Sequence, residues 1–473
     1  MGRTNHRHSF LDRLDDFGTR GSGDPEDPLM TFPSHIFSGS RFAILGLGRN
    51  GLPAARSLRA MGAELVLWDD GEAARDAAAA EGFTVADLRE GDFAFEALVL
   101  SPGIPHHLPA PHAVATRAIA AGVPILSDAE LLYQAVRRSG SEARFAGVTG
   151  TNGKSTTTAL LAHILAGAGI PVAAGGNLGI AALALPLLPN NGVYVLEMSS
   201  YMLERIATLR FSTAAMLNLS PDHLDRHGNM TGYADVKRAI FARQTVADVA
   251  VVGIDDPLSA AMADDLSTGP MQLVRISGRG ASTDAPALPG EHNAQNVAAA
   301  TAMARALGVD DATIAAAVQT FPGLPHRQQR VGTHEGVTFV NDSKATNADA
   351  AARALGCYDR LVWIAGGLAK AGGIGTLEDY FPRIVHAELI GRDAESFAET
   401  LAEHDVPHRV AGTLEAAVPA AFARARALGA DVVLLSPACA SWDQFSGFEA
   451  RGDRFAALVA ELGEPGAMSG RAA

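Results

Sequence analysis

The sequence predicts an α/β protein of three domains: a Rossmann-like first domain, a central parallel sheet of the P-loop ATPase type, and a Rossmann-like α/β third domain. Three observations predict it. Short apolar runs alternate with Ala-rich helical stretches, the pattern of parallel strands covered by helices. Two glycine-rich turns, at 46–51 and 147–156, each follow such a run and open a helix. A chain of 473 residues is also too long for one ordinary core.

Residues 1–34 read as a disordered tail, polar and charged to residue 29, with Met30 an alternative start. The first domain, 35–139, opens with the buried strand Phe42–Leu45, the turn Gly46-Leu47-Gly48-Arg49-Asn50-Gly51 and a helix to about Met61. Strand Glu64–Trp68 ends in Asp69-Asp70, and the apolar run Ala97–Leu100 ends in Ser101-Pro102-Gly103. The linker Ser139-Gly140-Ser141 leads into a central domain, 140–325. Its elements are a strand at Phe145–Val148, a helix at Ser155–Ala168, buried strands at Val193–Leu196 and Ala214–Leu217, and an Ala-rich helix over 294–307. After the hinge Gly323-Leu324-Pro325, strands at Val337–Val340, Leu361–Ile364, Ala387–Ile390 and Val432–Leu435 alternate with helices in a third domain, 326–463. Residues 464–473 read as a second disordered tail.

Bulk chemistry excludes several classes. A net charge of -14 argues against non-specific nucleic-acid binding. Cys357 and Cys439 show no spacing that suits zinc or a disulfide framework, which points to a reducing compartment. No apolar run is long enough to span a bilayer, and the N-terminus lacks a secretory core. The expectation is a cytoplasmic protein without membrane insertion.

Gly46, Gly48 and Gly51 have the G-x-G-x-x-G spacing, with Asp69 closing the next strand. The first glycine permits the turn, the second lets backbone approach a pyrophosphate, and the helix start supplies partial positive charge. The spacing does not tell NAD from a UDP-sugar. The second turn runs Gly150-Thr151-Asn152-Gly153-Lys154-Ser155-Thr156 after Gly147-Val148-Thr149. Its amides can wrap a triphosphate, Lys154 neutralise it and the Ser155 hydroxyl ligate Mg²⁺. Val148 stands where a P-loop normally has its first glycine. Two nucleotide-type loops imply two ligands, so a dehydrogenase leaves the second loop unexplained.

Glu197 ends an apolar strand beside the P-loop strand, where an open α/β sheet commonly holds Mg²⁺. His223, sharing a loop with Asp222 and Asp225, is expected to converge on the same sheet edge as a ligand of a metal or of the transferred phosphoryl. Lys237, on a helical stretch, carries no signal of its own.

These segments, in this order, resemble the Mur ligases, and within them the branch that adds D-glutamate. The resemblance runs through Ser101-Pro102-Gly103-Ile104, the P-loop, Leu196-Glu197-Met198-Ser199-Ser200 and His223-Leu224-Asp225-Arg226. It continues through Gly290-Glu291-His292-Asn293-Ala294-Gln295-Asn296, Leu324-Pro325-His326-Arg327 and Asn341-Asp342-Ser343-Lys344-Ala345-Thr346-Asn347. It ends in Ser436-Pro437-Ala438-Cys439-Ala440-Ser441-Trp442-Asp443-Gln444-Phe445, with Phe448 and Arg451-Gly452 following.

The resemblance implies a monomer binding three small molecules: UDP-N-acetylmuramoyl-L-alanine, ATP and D-glutamate. The UDP part would lie on Gly46, Gly48, Asn50, Asn177 and the Ser101–Gly103 turn, with Asp69 or Asp70 on uracil or ribose. MgATP would take Gly150 to Thr156 on its phosphates, Asn293 and Asn296 toward adenine, and Arg327, Asp342 and Lys344 from the third domain. Two Mg²⁺ ions are implied, one on Ser155 and Glu197, the other on His223 and a carbamylated Lys237. A carbamate, formed from CO₂ and a neutral amine, turns a lysine into an oxygen ligand. D-glutamate would meet Lys344, Lys370, Thr346 and Ser441, with Phe448 packing beside it. The implied reaction is ATP-driven amide formation through an acyl phosphate, with Lys154, Glu197, His223 and Lys237 as the catalytic set. Rivals are a sister ligase, an L-glutamate-adding relative, a folyl-polyglutamate synthase or a non-catalytic nucleotide sensor. The roughly hundred residues before the P-loop argue against the folate enzyme.

Overall fold

The computed structural model describes residues 30–463 apart from Leu178 and Ala371. The expected tails at 1–29 and 464–473 lie outside the described residues. Met30, counted with the tail above, instead accepts a hydrogen bond from the Leu187 amide at 3.0 Å, and Phe32 packs against the core. The described residues fall into two compact units: one runs to Ala281 and includes Asn293–Thr320, the other comprises Ser282–His292 and the chain from Phe321 onward. Ser282–His292, expected in the central domain, groups with the second unit. Cys357 is the local reason, its thiol lying 3.8 Å from the Pro289 carbonyl.

The first unit holds two sheets. β1 (Arg41–Leu45), β2 (Glu64–Trp68), β3 (Ala97–Leu100) and β4 (Ile125–Leu126) form a parallel sheet ordered β2-β1-β3-β4. β5 (Arg144–Thr149), β6 (Val172–Gly176), β7 (Val193–Glu197), β8 (Thr213–Met216), β9 (Val249–Gly253) and β10 (Gln272–Ile276) form a second parallel sheet ordered β10-β9-β8-β5-β7-β6. Their near-continuous Val, Leu and Ala content follows from helices covering both faces. One hydrophobic cluster runs from Phe42 and Ile44 through Leu131 and Phe145 to Tyr194 and Leu196, joining the two sheets. Glu130, fully buried, adds a polar tie by accepting from the Ala207, Thr208 and Leu209 amides at 2.8–2.9 Å.

The second unit has one six-stranded sheet. β11 (Gln329–His334) pairs antiparallel with β12 (Val337–Asn341). β13 (Leu361–Gly366), β14 (Ile384–Ile390), β15 (His408–Gly412) and β16 (Val432–Leu435) complete the order β11-β12-β16-β13-β14-β15, parallel apart from the first pair. Trp363 is fully buried there, its indole N–H donating to the Ser436 carbonyl at 2.8 Å. The α/β class and parallel sheets expected from the sequence are present in all three regions.

Candidate active site

The first turn opens onto a cavity of about 500 Å³ at the C-terminal ends of β1, β2 and β3. Gly46, Gly48, Asn50, Asp69, Asp70, Ser101, Gly103 and Asn177, the eight residues expected at a UDP moiety, all line it. The three glycines have separate reasons. Gly46 has φ +87°, and a Cβ there would sit 2.7 Å from the Ser101 Cβ. A Cβ on Gly51 would sit 1.8 Å from the Gly46 carbonyl oxygen. At Gly48 nothing lies within 4 Å of such an atom, so its missing side chain leaves open space toward the cavity. Ser101 Oγ donates to the Gly46 carbonyl at 2.7 Å, joining the two turns. Asp69 accepts from the Leu47 and Gly71 amides at 2.7 and 2.8 Å, so its carboxylate shapes the turn; Asp70 is exposed and 3.0 Å from His112.

The P-loop connects β5 to the helix Lys154–Gly167. Gly150 and Gly153 have φ +145° and +85°, and a Cβ on Gly153 would sit 2.2 Å from Asn296 Oδ1. Neighbouring side chains hold the rest. The Asn152 amide donates to Asn218 Oδ1 at 2.9 Å, the Thr151 amide to the Asn218 carbonyl at 2.8 Å, and Thr151 Oγ1 lies 3.3 Å from the Tyr233 hydroxyl. Asn296 accepts from Thr157 Oγ1 at 3.3 Å and donates to Asn293 at 3.1 Å, so both predicted asparagines reach this loop's surroundings. Lys154 Nζ folds back to donate to the Gly150 and Thr151 carbonyls at 3.0 and 2.9 Å.

β7 and β8 flank β5 in parallel, which brings Glu197 and the loop after Met216 to the same sheet edge as the P-loop. Glu197 is buried; Oε1 accepts from Asn177 Nδ2 at 2.6 Å, while Oε2 has no hydrogen-bond partner among the described residues. A buried carboxylate oxygen without a donor suits a cation. Lys237, on the helix Met230–Arg238, is 1% exposed and donates to the Gly150 carbonyl at 2.8 Å and to Thr149 Oγ1 at 3.3 Å. Burial, with the Lys154 charge added, pushes its pKa well below that of an ordinary lysine, against opposing pulls from Asp222 and Glu197. No local sequence pattern announces this burial. His223 takes a left-handed φ of +53° at the start of Leu224–His227, with its ring 3.4 Å from Asp222 and 5.0 Å from Tyr201. Burial and nearby Lys237 lower its pKa, against the pull of Asp222.

In the second unit, Lys344 Nζ lies 3.6 Å above the Phe448 ring, and Leu368, in the segment leading to Lys370, pairs with Ala440 beside Ser441. Lys370 is exposed, Thr346 half-buried and Ser441 buried. Asp342 accepts from Ser436 Oγ at 2.8 Å and from the Gln328 amide at 3.2 Å; burial pushes its pKa up to about 7 despite Arg327. Sequence reading missed Asn218, Tyr233 and Thr149, which shape the loop. Asn218 alone carried a signal, standing just past an apolar strand.

Among the described residues no helix is long and apolar enough to cross a membrane, and no three His, Cys, Asp or Glu side chains cluster as a metal cage. Residues 148–287 match the family model for the Mur ligase middle domain, and 326–439 that for the Mur ligase glutamate ligase domain. A protein of Paramagnetospirillum magneticum named UDP-N-acetylmuramoylalanine--D-glutamate ligase is 49% identical, covering 91% of this chain and 99% of its own. One of the same name from Caulobacter vibrioides is 47% identical, covering 90% and 97%. The crystal structure of UDP-N-acetylmuramate-alanine ligase MurC from Thermotoga maritima shares the fold, with a TM-score of 0.55 at 17% identity over 89% of this chain and 99% of that one. With two family domains matched in order and near-half identity along nearly all its length, the chain belongs to the Mur ligase family.

Proposed function

We propose that this chain joins D-glutamate to UDP-N-acetylmuramoyl-L-alanine at the expense of ATP, in the assembly of peptidoglycan precursors. One observation carries the chemistry. The P-loop, the half-satisfied carboxylate of Glu197 and the buried amine of Lys237 meet at the ends of adjacent parallel strands. The identity to relatives named for this activity supports the choice of substrates.

A free carboxylate resists amines because its charge repels them and its oxygen leaves badly. In the first step an oxygen of the L-alanine carboxylate bonds to the γ-phosphorus of ATP, and the bridging P–O bond breaks to release ADP. The glutamate nitrogen then bonds to the carbonyl carbon of the acyl phosphate, the C–O bond to phosphate breaks, and the nitrogen sheds a proton. Lys154, leaving its resting contacts with the loop carbonyls, neutralises charge on the transferred group. The Gly150–Thr156 amides cradle the phosphates, with Asn293 and Asn296 toward adenine. The cavity around Gly48 seats the UDP part.

Glu197 and Ser155 would hold one Mg²⁺, His223 and carbamylated Lys237 a second; the ions supply charge neutralisation between phosphate and acid. The depressed pKa of Lys237 supports that assignment, because CO₂ adds to a neutral amine. In the second unit Lys344, Thr346, Lys370, Ser441 and Phe448 would make up the glutamate subsite. This reading implies a monomer working in the cytoplasm, where its nucleotide substrates are found.

Phosphate release measured with all three substrates, and with each left out, tests the proposal. Release should require both the UDP-linked acid and D-glutamate, and L-glutamate should not substitute. ATP binding without that dependence would leave a nucleotide sensor and end the proposal.

A further inference from the structure

The Ser101–Ile104 turn lines the first cavity, but the side chains that brace it come from the segments following β7 and β8. Arg205 is 2% exposed. Its Nη1 donates to the carbonyls of Leu100 and Ser101 at 2.9 and 3.0 Å, and its Nη2 to that of Ile104 at 2.6 Å. Arg226, also buried, donates to the same Ile104 oxygen at 3.0 Å. Three backbone carbonyls of the turn, those of Leu100, Ser101 and Ile104, are thus held by two guanidinium groups, whose planar forks suit several fixed acceptors at once.

The charge balance under the turn is uneven. Burial and Arg226 push Arg205 down to about 9, which leaves it cationic at neutral pH. Burial, with Arg205 adding to it, drives His106, 3.3 Å from Arg205 Nη2, down to about 4, so that ring is neutral. The carboxylate facing the two guanidinium groups is Glu204, with Oε2 3.7 Å from Arg226 and 3.5 Å from His106. Two cations thus face one anion. Surplus buried positive charge is costly unless an anion comes near, and the wall above it is the turn read here as lying along a diphosphate.

Glu204 also connects this brace to the catalytic loop. Its Oε1 lies 3.1 Å from His227 Nδ1, and His227 Nε2 lies 3.0 Å from Ser200 Oγ. His227 ends the short helix that His223 begins, and Ser200 stands three residues after Glu197.

We propose that Arg205 is a positioning residue for the UDP-linked acid: with Arg226 it pre-forms the Ser101–Ile104 wall for an anionic ligand, and through Glu204 it keeps that wall in register with the loop of His223. The inference rests on the function proposed above. A bare structural staple would hold the fold and affect all ligands alike; a positioning residue affects one.

Calorimetric titration of UDP-N-acetylmuramoyl-L-alanine and, separately, of MgATP into wild type, Arg205→Met and Arg205→Lys separates these roles. Arg205→Met should weaken the UDP ligand about tenfold and MgATP less than about twofold. Arg205→Lys should recover part of the loss, since an ammonium keeps the charge but not the fork. In turnover the KM for the UDP ligand should rise more than that for ATP. A UDP-to-ATP ratio of changes below about threefold in folded Arg205→Met overturns the inference. Should that variant fail to fold, Arg205→Lys decides, with a ratio below about twofold overturning it. Wild-type protein that does not bind the UDP ligand at all would refute the functional reading itself, a separate outcome.

Discussion

The two glycine-rich turns of the first unit solve the same problem by different means. The turn at 46–51 is set mainly by close packing, with two glycines forced by neighbouring atoms and a third leaving empty space, and is pinned by the Asp69 carboxylate and the Ser101 hydroxyl. The turn at 150–153 is shaped by polar side chains from distant segments, and two lysines crowd one carbonyl, that of Gly150. The difference teaches what each ligand demands. A bound diphosphate needs room and backbone, whereas a phosphate being transferred needs polar and charged groups placed in advance.

Breaking the charged turn should cost most. Lys154→Ala should lower turnover by about 10³-fold while binding of the UDP ligand stays within about twofold, as separate kinetics and calorimetry would show. Full activity in that variant would remove the loop from the mechanism. Lys237→Met should lower turnover by about 10²-fold without lowering the thermal midpoint, because an amine buried at a depressed pKa is a burden on folding. The sign follows from linkage. As pH rises toward the ordinary lysine pKa, the unfolded chain holds more protons at this site than the folded one, so wild type should gain stability relative to Lys237→Met. Intact-mass analysis in bicarbonate should also show one CO₂ added to wild type and none to the variant.

The open turn should respond more gently. Gly48→Ala should fold with an unchanged melting temperature and bind the UDP ligand about tenfold more weakly, whereas Gly46→Ala should be destabilised by about 2 kcal/mol through its φ of +87° and the Ser101 contact. A Gly48→Ala protein that binds normally would show the space to be incidental. In the second unit the expected effect falls on stability alone. Asp342, raised to about 7 when folded, loses stability as pH climbs from its unfolded value near 4 through 7. Asp342→Asn should therefore be more stable relative to wild type at pH 8 than at pH 5, by about 2 kcal/mol.

What the sequence revealed follows the same divide. Glycine spacing, a lysine at a helix start and a carboxylate ending an apolar strand are local patterns, and in the structure those residues stand at the ends of parallel strands. Lys237 was illegible because its burial is made by Thr149 and Gly150, nearly ninety residues earlier. No local pattern singles out Arg205, and only its contacts with Leu100, Ser101 and Ile104, a hundred residues away, turn it inward. Among strands, β6 escaped notice because Val172-Ala173-Ala174-Gly175-Gly176 carries little apolar bulk, and β15 because as an edge strand it is half exposed. β4 is only two residues long.

The amide of Asn177 touches both halves of this story. It borders the cavity assigned above to the UDP part and, at 2.6 Å, donates to the carboxylate of Glu197. A cargo that fits the cavity yet shoulders that amide aside would slacken the acid group at the reacting end. Discrimination can thus be exercised after docking, as a loss of speed rather than of grip, by one side chain that belongs to neither glycine turn.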